Sequence, residues 1–116
     1  MAAWVKKIPA PREAIIHAIC FGPDNLFVVG DDEALTVYAA ADNGVVRRWD
    51  DLSTVLSAAL LRLEDGAVVA AGGTMRGEIH LRSIAGDAAG RAALASGGGG
   101  VRALASDGSR LVAGDE

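Results

Sequence analysis

Few of the 116 residues are of types that perform chemistry, so their spacing decides what they can do. The imidazole and thiol groups are His17, His80 and Cys20. His17 and Cys20 form His-x-x-Cys, a pattern suited to a metal pair or a Cys–His nucleophile. On a strand, residues three apart face opposite sides, so the two side chains diverge. His80 lies 63 residues beyond His17, and no second cysteine completes a ligand set. Ordinary packing on a strand is therefore the expected role of both. Gly97 to Gly100 have the look of a phosphate loop, but such loops need a Lys-Ser/Thr and a helix start behind them. Val101-Arg102-Ala103 follows instead and reads as a strand, leaving the glycines as an inter-strand loop.

The acidic clusters Asp31-Asp32-Glu33, Asp50-Asp51 and Asp115-Glu116 lack the alternating oxygen ligands of a calcium loop. They read as solvated turns able to form an acidic rim for a basic partner. Arg47 and Arg48 beside Trp49 point to opposite faces of a strand and cannot form one patch. Lys6 and Lys7 near Trp4 suit an exposed edge strand, where lysines discourage sheet-to-sheet aggregation. No catalytic, cofactor-binding or metal-binding residue is expected, and no cofactor.

The elements that position these residues come from an unusual composition. Apolar residues make up 51% of the chain, yet 23 are Ala, and Gly adds 15 more. The aromatics Trp4, Phe21, Phe27, Tyr38 and Trp49 all lie in the first 49 residues. A net charge of −4 is a poor match for a phosphate backbone, so direct nucleic-acid binding is not expected. There is no run of 18 apolar residues and no signal-peptide h-region after Lys6-Lys7, so no membrane association is expected. The lone cysteine fits an intracellular setting, cytoplasmic or nuclear.

Short apolar runs closed by Gly, Asp or Asn recur along the chain and predict strands. They span 14–21, 26–29, 35–38, 45–49, 55–63, 68–71, 78–84, 101–105 and 111–113. Gly30, Gly72-Gly73 and Gly114 are read as strand ends. A helix at 53–63, with Ser53 or Thr54 as cap, is the competing local reading, and 85–95 is Ala-rich as well. Asp24-Asn25, Asp65-Gly66 and Asp107-Gly108 fall 41 and 42 residues apart, each followed by an apolar strand and a glycine. A period of 40 to 45 residues with four short strands per unit is a propeller-blade signature.

These residues resemble the WD-repeat β-propeller family. Ile16-His17-Ala18-Ile19-Cys20-Phe21-Gly22-Pro23-Asp24 is similar to an inner strand and its turn. Residues 41–50, ending in Trp49-Asp50, resemble the closing stretch of a repeat, and 101–108 resemble another opening strand. Typical repeats carry Gly-His ahead of the inner strand. Asp51-Leu52-Ser53 and Gly97 to Gly100 lack that His, so the family's buried hydrogen-bond network is absent or replaced. Two registers compete in the first unit. Val45–Trp49 is either the fourth strand, which the 41-residue spacing favours, or the end of the third with 25–34 inserted.

The resemblance implies an all-β fold, a partial β-propeller of about two and a half four-stranded blades. In that reading 1–13 hold a closing strand at 3–9 and a linker, 14–53 are blade 1, 54–99 blade 2 and 100–116 the start of blade 3. The chain would be the N-terminal portion of a longer propeller. The implied role is a non-enzymatic protein–protein interaction scaffold in a larger complex. Trp49-Asp50-Asp51-Leu52 is similar to the N-terminal propeller of replication-fork adaptors, and degenerate first blades also suit ciliary transport scaffolds. The partners implied are other proteins and the remainder of the propeller, with self-association of the exposed sheet faces. An enzymatic propeller and an unrelated small α+β domain are the alternatives.

Overall fold

The computed structural model describes residues 15–85, 91–95, 99–108 and 110–115. The expected closing strand at 3–9, with Trp4, Lys6 and Lys7, lies outside the described residues, as do Gly97, Gly98 and Glu116. The described residues form ten strands, one 3₁₀ turn at Pro23–Asn25 and no α-helix. The protein is all-β and antiparallel, and the small α+β alternative falls away. Strands β1 (Ile16–Phe21), β2 (Leu26–Asp31), β3 (Leu35–Ala39) and β4 (Val45–Trp49) make a four-stranded meander in chain order. Strands β5 (Val55–Arg62), β6 (Val68–Thr74), β7 (Glu78–Ser83) and β8 (Arg91–Ala95) make a second meander. A hairpin of β9 (Val101–Ser106) and β10 (Leu111–Asp115) forms the third layer. Val45–Trp49 is thus the fourth strand of its sheet. The segment weighed as a helix at 53–63 is strand β5, because both of its faces are buried between layers.

Turn chemistry sets the hairpins. The residues that reverse the chain between first and second strands are Asn25, Gly66 and Gly108, with φ of 57°, 90° and 104°. Asn and Gly tolerate this left-handed region at low cost, as the Asp-Asn and Asp-Gly pairs required.

The second sheet is the middle layer. One face packs on the first sheet through Val28, Leu35, Val37, Val55, Leu60 and Ala70. The other packs Leu61, Val69 and Ala71 against Leu104 and Leu111 of the hairpin. Strands β2 and β6 are buried on both faces, which explains their continuous apolar runs in place of alternation. Each fully buried Val or Leu in these layers contributes roughly 1.5–3 kcal/mol.

The glycines read as strand ends turn out to lie inside strands, since β2 runs on to Asp31, β6 to Thr74 and β10 to Asp115. At Gly30 and Gly73 the role is close approach between layers. A Cβ on Gly30 would lie 2.6 Å from Val55 Cγ1, and one on Gly73 would lie 2.6 Å from Val101 Cγ1. Val55 and Val101 open the first strands of the second and third layers, and both are fully buried on these seats.

A β-bulge accompanies each seat. Ile16 pairs Asp31 and Ala18 pairs Gly30, leaving His17 as the extra residue. Val55 pairs Thr74 and Ser57 pairs Gly73, leaving Leu56 extra. Val101 pairs Asp115 and Ala103 pairs Gly114, leaving Arg102 extra. All three first strands therefore bulge at their second residue, and the residue after each bulge faces Gly30, Gly73 or Gly114. Bulges sharpen the local twist and re-aim the side chain.

Gly73→Ala is expected to lower stability by about 1–3 kcal/mol through overpacking. Gly114→Ala, whose new Cβ meets nothing nearer among the described residues than Ala103 Cβ at 3.7 Å, is expected to stay within about 0.5 kcal/mol of the parent. Urea denaturation midpoints of the two variants check the contrast.

Candidate functional site

The three bulged ends lie side by side, because β1, β5 and β9 are the strands along which the layers meet. They enclose a groove of about 330 Å³ lined by His17, Cys20, Leu56, Ser57, Arg102 and Leu104, among others. His17 Nε2 donates to Asp32 Oδ1 at 2.6 Å. The Cys20 thiol donates to the Phe21 carbonyl at 3.3 Å, and Ser57 Oγ donates to the Val101 carbonyl at 2.8 Å. His17 is the bulge residue, so the regular alternation expected of His-x-x-Cys does not apply, and both residues border the groove without a hydrogen bond between them. His17 is exposed at the bulge, whereas Cys20 packs towards the core between the sheets. No group of three or more His, Cys, Asp or Glu able to hold a metal occurs among the described residues.

Asp32 also accepts the Ile15 N–H at 3.2 Å. The hydrogen bond from His17, helped by that from Ile15, holds the Asp32 carboxyl below its ordinary value of 3.8. Within the same cluster, Asp31 is buried and its Oδ1 caps the turn by accepting the Glu33 and Ala34 N–H groups at 2.7 and 2.8 Å. Glu33 faces Arg48 at 3.8 Å. Three adjacent acids thus do three separate jobs around the β2–β3 turn.

A second polar cluster lines the seam between the two four-stranded sheets. Arg82 pairs with Ala70 and His80 with Gly72 on the side that faces the first sheet. Arg82 is 6% exposed and reaches Asp51, which is 44% exposed, at 3.1 Å. Its Nε finds no acceptor among the described residues. His80 bonds Glu78 at 3.2 Å. Across the seam, Arg47 donates to the Ile84 carbonyl at 2.9 Å, and its guanidinium carbon lies 5.4 Å from the ring centroid of buried Trp49. Arg62 pairs with Asp24 of the 3₁₀ turn and ties the sheets at their other end.

Of the singled-out residues, Arg47 and Trp49 meet at this seam, while Arg48 turns away to Glu33. Gly100 is buried, and its backbone passes so close to Met75 that a Cβ would lie 3.3 Å from the Met75 carbonyl oxygen. Sequence reasoning missed Arg82. Within Glu78–Ser83 it lies on the face opposite Ile79 and Leu81, and nothing local indicates that this face is covered. The bulges left no signal within a single repeat.

The chain matches no protein-family model and no curated protein at a significant level. Among solved structures, the crystal structure of the computationally designed Ika4 protein is similar at 19% identity. The likeness covers 91% of this chain and 88% of that one with a TM-score of 0.41, too low to assign a fold. Among the described residues, no helix is long and apolar enough to cross a membrane.

Asp51→Ala leaves the buried Arg82 charge with fewer partners and is expected to cost about 1–3 kcal/mol, less than for a fully buried pair because Asp51 is half exposed. Arg82→Met, which removes the charge itself, is expected to cost under about 1 kcal/mol. Chemical denaturation orders the two. Asp32 has a folded-state pKa below its unfolded value, so its stabilisation is full above pH 3.8 and is lost as pH falls through the folded value. Asp32→Asn is therefore expected to lower the melting temperature near neutrality, and the gap to the parent should shrink below pH 3.8. Thermal melts across the acid range check the sign.

Proposed function

We propose that the sheets are successive blades of a WD-repeat-like β-propeller, and that the chain serves as a non-enzymatic scaffold for protein partners. The observation that carries this reading is the repeated junction: a bulged first strand, led by a β-branched residue that sits on a glycine of the layer before it. Radially repeated four-stranded meanders stack each unit on its neighbours with their inner strands around a central channel, and one junction repeated between successive sheets suits that arrangement. In this reading the groove at the bulged ends faces the central channel, and the loops at 50–54 and 75–77 at one end of the sheets, with the turn at Asp107 and Arg110 at the other, are presented to partners. Two features favour binding over turnover. Cys20 and Ser57, the groove's candidate nucleophiles, donate to main-chain carbonyls and not to His17, so no nucleophile–base pair is formed among them. The loops carry the exposed charges Asp50, Asp51, Arg76, Asp107 and Arg110, which suit polar rims of protein interfaces.

The test is chemical crosslinking and mass spectrometry of the tagged chain isolated from its own cells. A stoichiometric protein partner crosslinked to those loops, and lost with Arg76→Glu and Arg110→Glu together, is the expected result. Isolation of the chain with a small molecule that it converts, and conversion abolished by His17→Ala, would instead establish the enzymatic propeller.

A further inference from the structure

Both halves of the repeated junction recur at the two ends of the stack. The seat at Gly30 holds Val55 and the seat at Gly73 holds Val101. The third seat, Gly114, lies opposite Ala103 in the same register, one residue past the Arg102 bulge. Among the described residues, a Cβ there meets only Ala103 Cβ, at 3.7 Å. Gly114 shares the outward face of the hairpin with Ala103, Ala105 and Val112, while Leu104 and Leu111 turn inward to the second sheet. Val112 is 69% exposed, and a concavity of about 430 Å³ lies over Ala105 and Val112.

The first sheet carries the other half. Ile16 is its leading residue, placed before the His17 bulge as Val55 and Val101 are placed before Leu56 and Arg102. Ile16 is β-branched, like both of them, and lies on the face of its sheet that turns away from the second sheet, with Phe27 and Val29. Ile19 and Phe21 follow on that face at 55% and 58% exposure. Their register equivalents in the second sheet are Ala58 and Leu60, both buried against the first sheet. One end of the stack thus offers Ile19 and Phe21 along its first strand, beside Phe27 and Val29 that are already buried, and the other offers Gly, Ala and an open concavity.

We propose that a second copy of this chain fills the third seat. Ile16 of one copy would rest on Gly114 of the next, with Ile19 and Phe21 over Ala105 and Val112, so that copies join head to tail. The proposal rests on reading the sheets as repeated blades. The contact is heterologous, so it grows into open chains or closes into a ring according to the rotation per copy. A β-branched residue on a glycine seat is the contact that already joins the layers within one chain, and the intermolecular junction continues it.

Sedimentation velocity of the whole chain over a wide concentration range tests this. The parent is expected to grow with concentration. Gly114→Leu, which fills the seat, and Ile19→Asp, which charges the leading face, should each weaken association by at least about tenfold. An equimolar mixture of the two variants retains one intact seat and one intact leading face, and should form a one-to-one dimer and nothing larger. Val112→Asp serves as a second seat-side variant, and circular dichroism confirms that each variant is folded. A parent that stays monomeric, association untouched by both seat-side variants, or failure of the mixture to pair would each overturn the proposal. A monomeric parent that still captures a crosslinked partner would leave the scaffold reading standing while this one falls.

Discussion

Val55 and Val101 reach full burial because the residues beneath them, Gly30 and Gly73, have no side chain. Everything else in the stack is arranged around those two contacts. They set how closely the layers approach, and therefore which residues of β2 and β6 can be buried on both faces. They also fix the register, since each seat lies opposite the residue that follows a bulge. A strand slipped by one residue would move its leading valine to the other face and leave the seat empty. The Ala and Gly richness of the second sheet follows from the same constraint. Gly72 approaches Leu35, and Ala70 and Ala71 are fully buried on opposite faces of one strand. Larger residues there would force the layers apart, so small side chains are a condition of the stacking and not a sign of a poor core.

Polar groups complement this seam at its margins. Arg82 with Asp51, Arg47 with the Ile84 carbonyl, and Arg62 with Asp24 each join the first sheet, or the segment that follows it, to the second. Paired charges at a partly buried margin contribute little net stability, but they penalise any other alignment of the sheets. The apolar seats thus supply the closeness and the arginines select the alignment. The His17–Asp32 pair does the same work inside the first sheet, bracing the bulge against the β2–β3 turn.

The strands and turns of this fold were legible in the sequence. Apolar runs closed by turn residues located nine of the ten described strands, and the 41- and 42-residue spacing of Asp24, Asp65 and Asp107 located the three first-strand turns; β8, in the Ala-rich stretch weighed with the helical reading, was missed because its Ala-rich sequence carries no alternation. What was misread was the meaning of a glycine. Gly30, Gly73 and Gly114 punctuate apolar runs as a turn residue would, and a single repeat cannot distinguish a strand end from a seat. That distinction depends on the side chain arriving from the next layer, which is long-range information. Arg82 was invisible for the same reason, because its partner Asp51 lies 31 positions away on another element. Of the candidate site, the separation of Arg47 from Arg48 was legible from strand geometry alone, whereas the placing of His17 beside Cys20 on one groove depends on a bulge that the local sequence does not show.

A double-mutant cycle between Gly30 and Val55 tests most directly whether the seat governs the stacking. A Cβ at Gly30 would lie 2.6 Å from Val55 Cγ1, but its next contacts, at 3.2 and 3.3 Å, need only a small shift. Gly30→Ala and Val55→Ala should each destabilise by about 1–3 kcal/mol, one by overpacking and the other by lost burial. In the double variant the new methyl occupies space that the valine has vacated. Its destabilisation is therefore predicted to fall short of the sum of the single effects by about 1 kcal/mol or more. Strict additivity would mean that Val55 does not rest on Gly30, and would contradict the account.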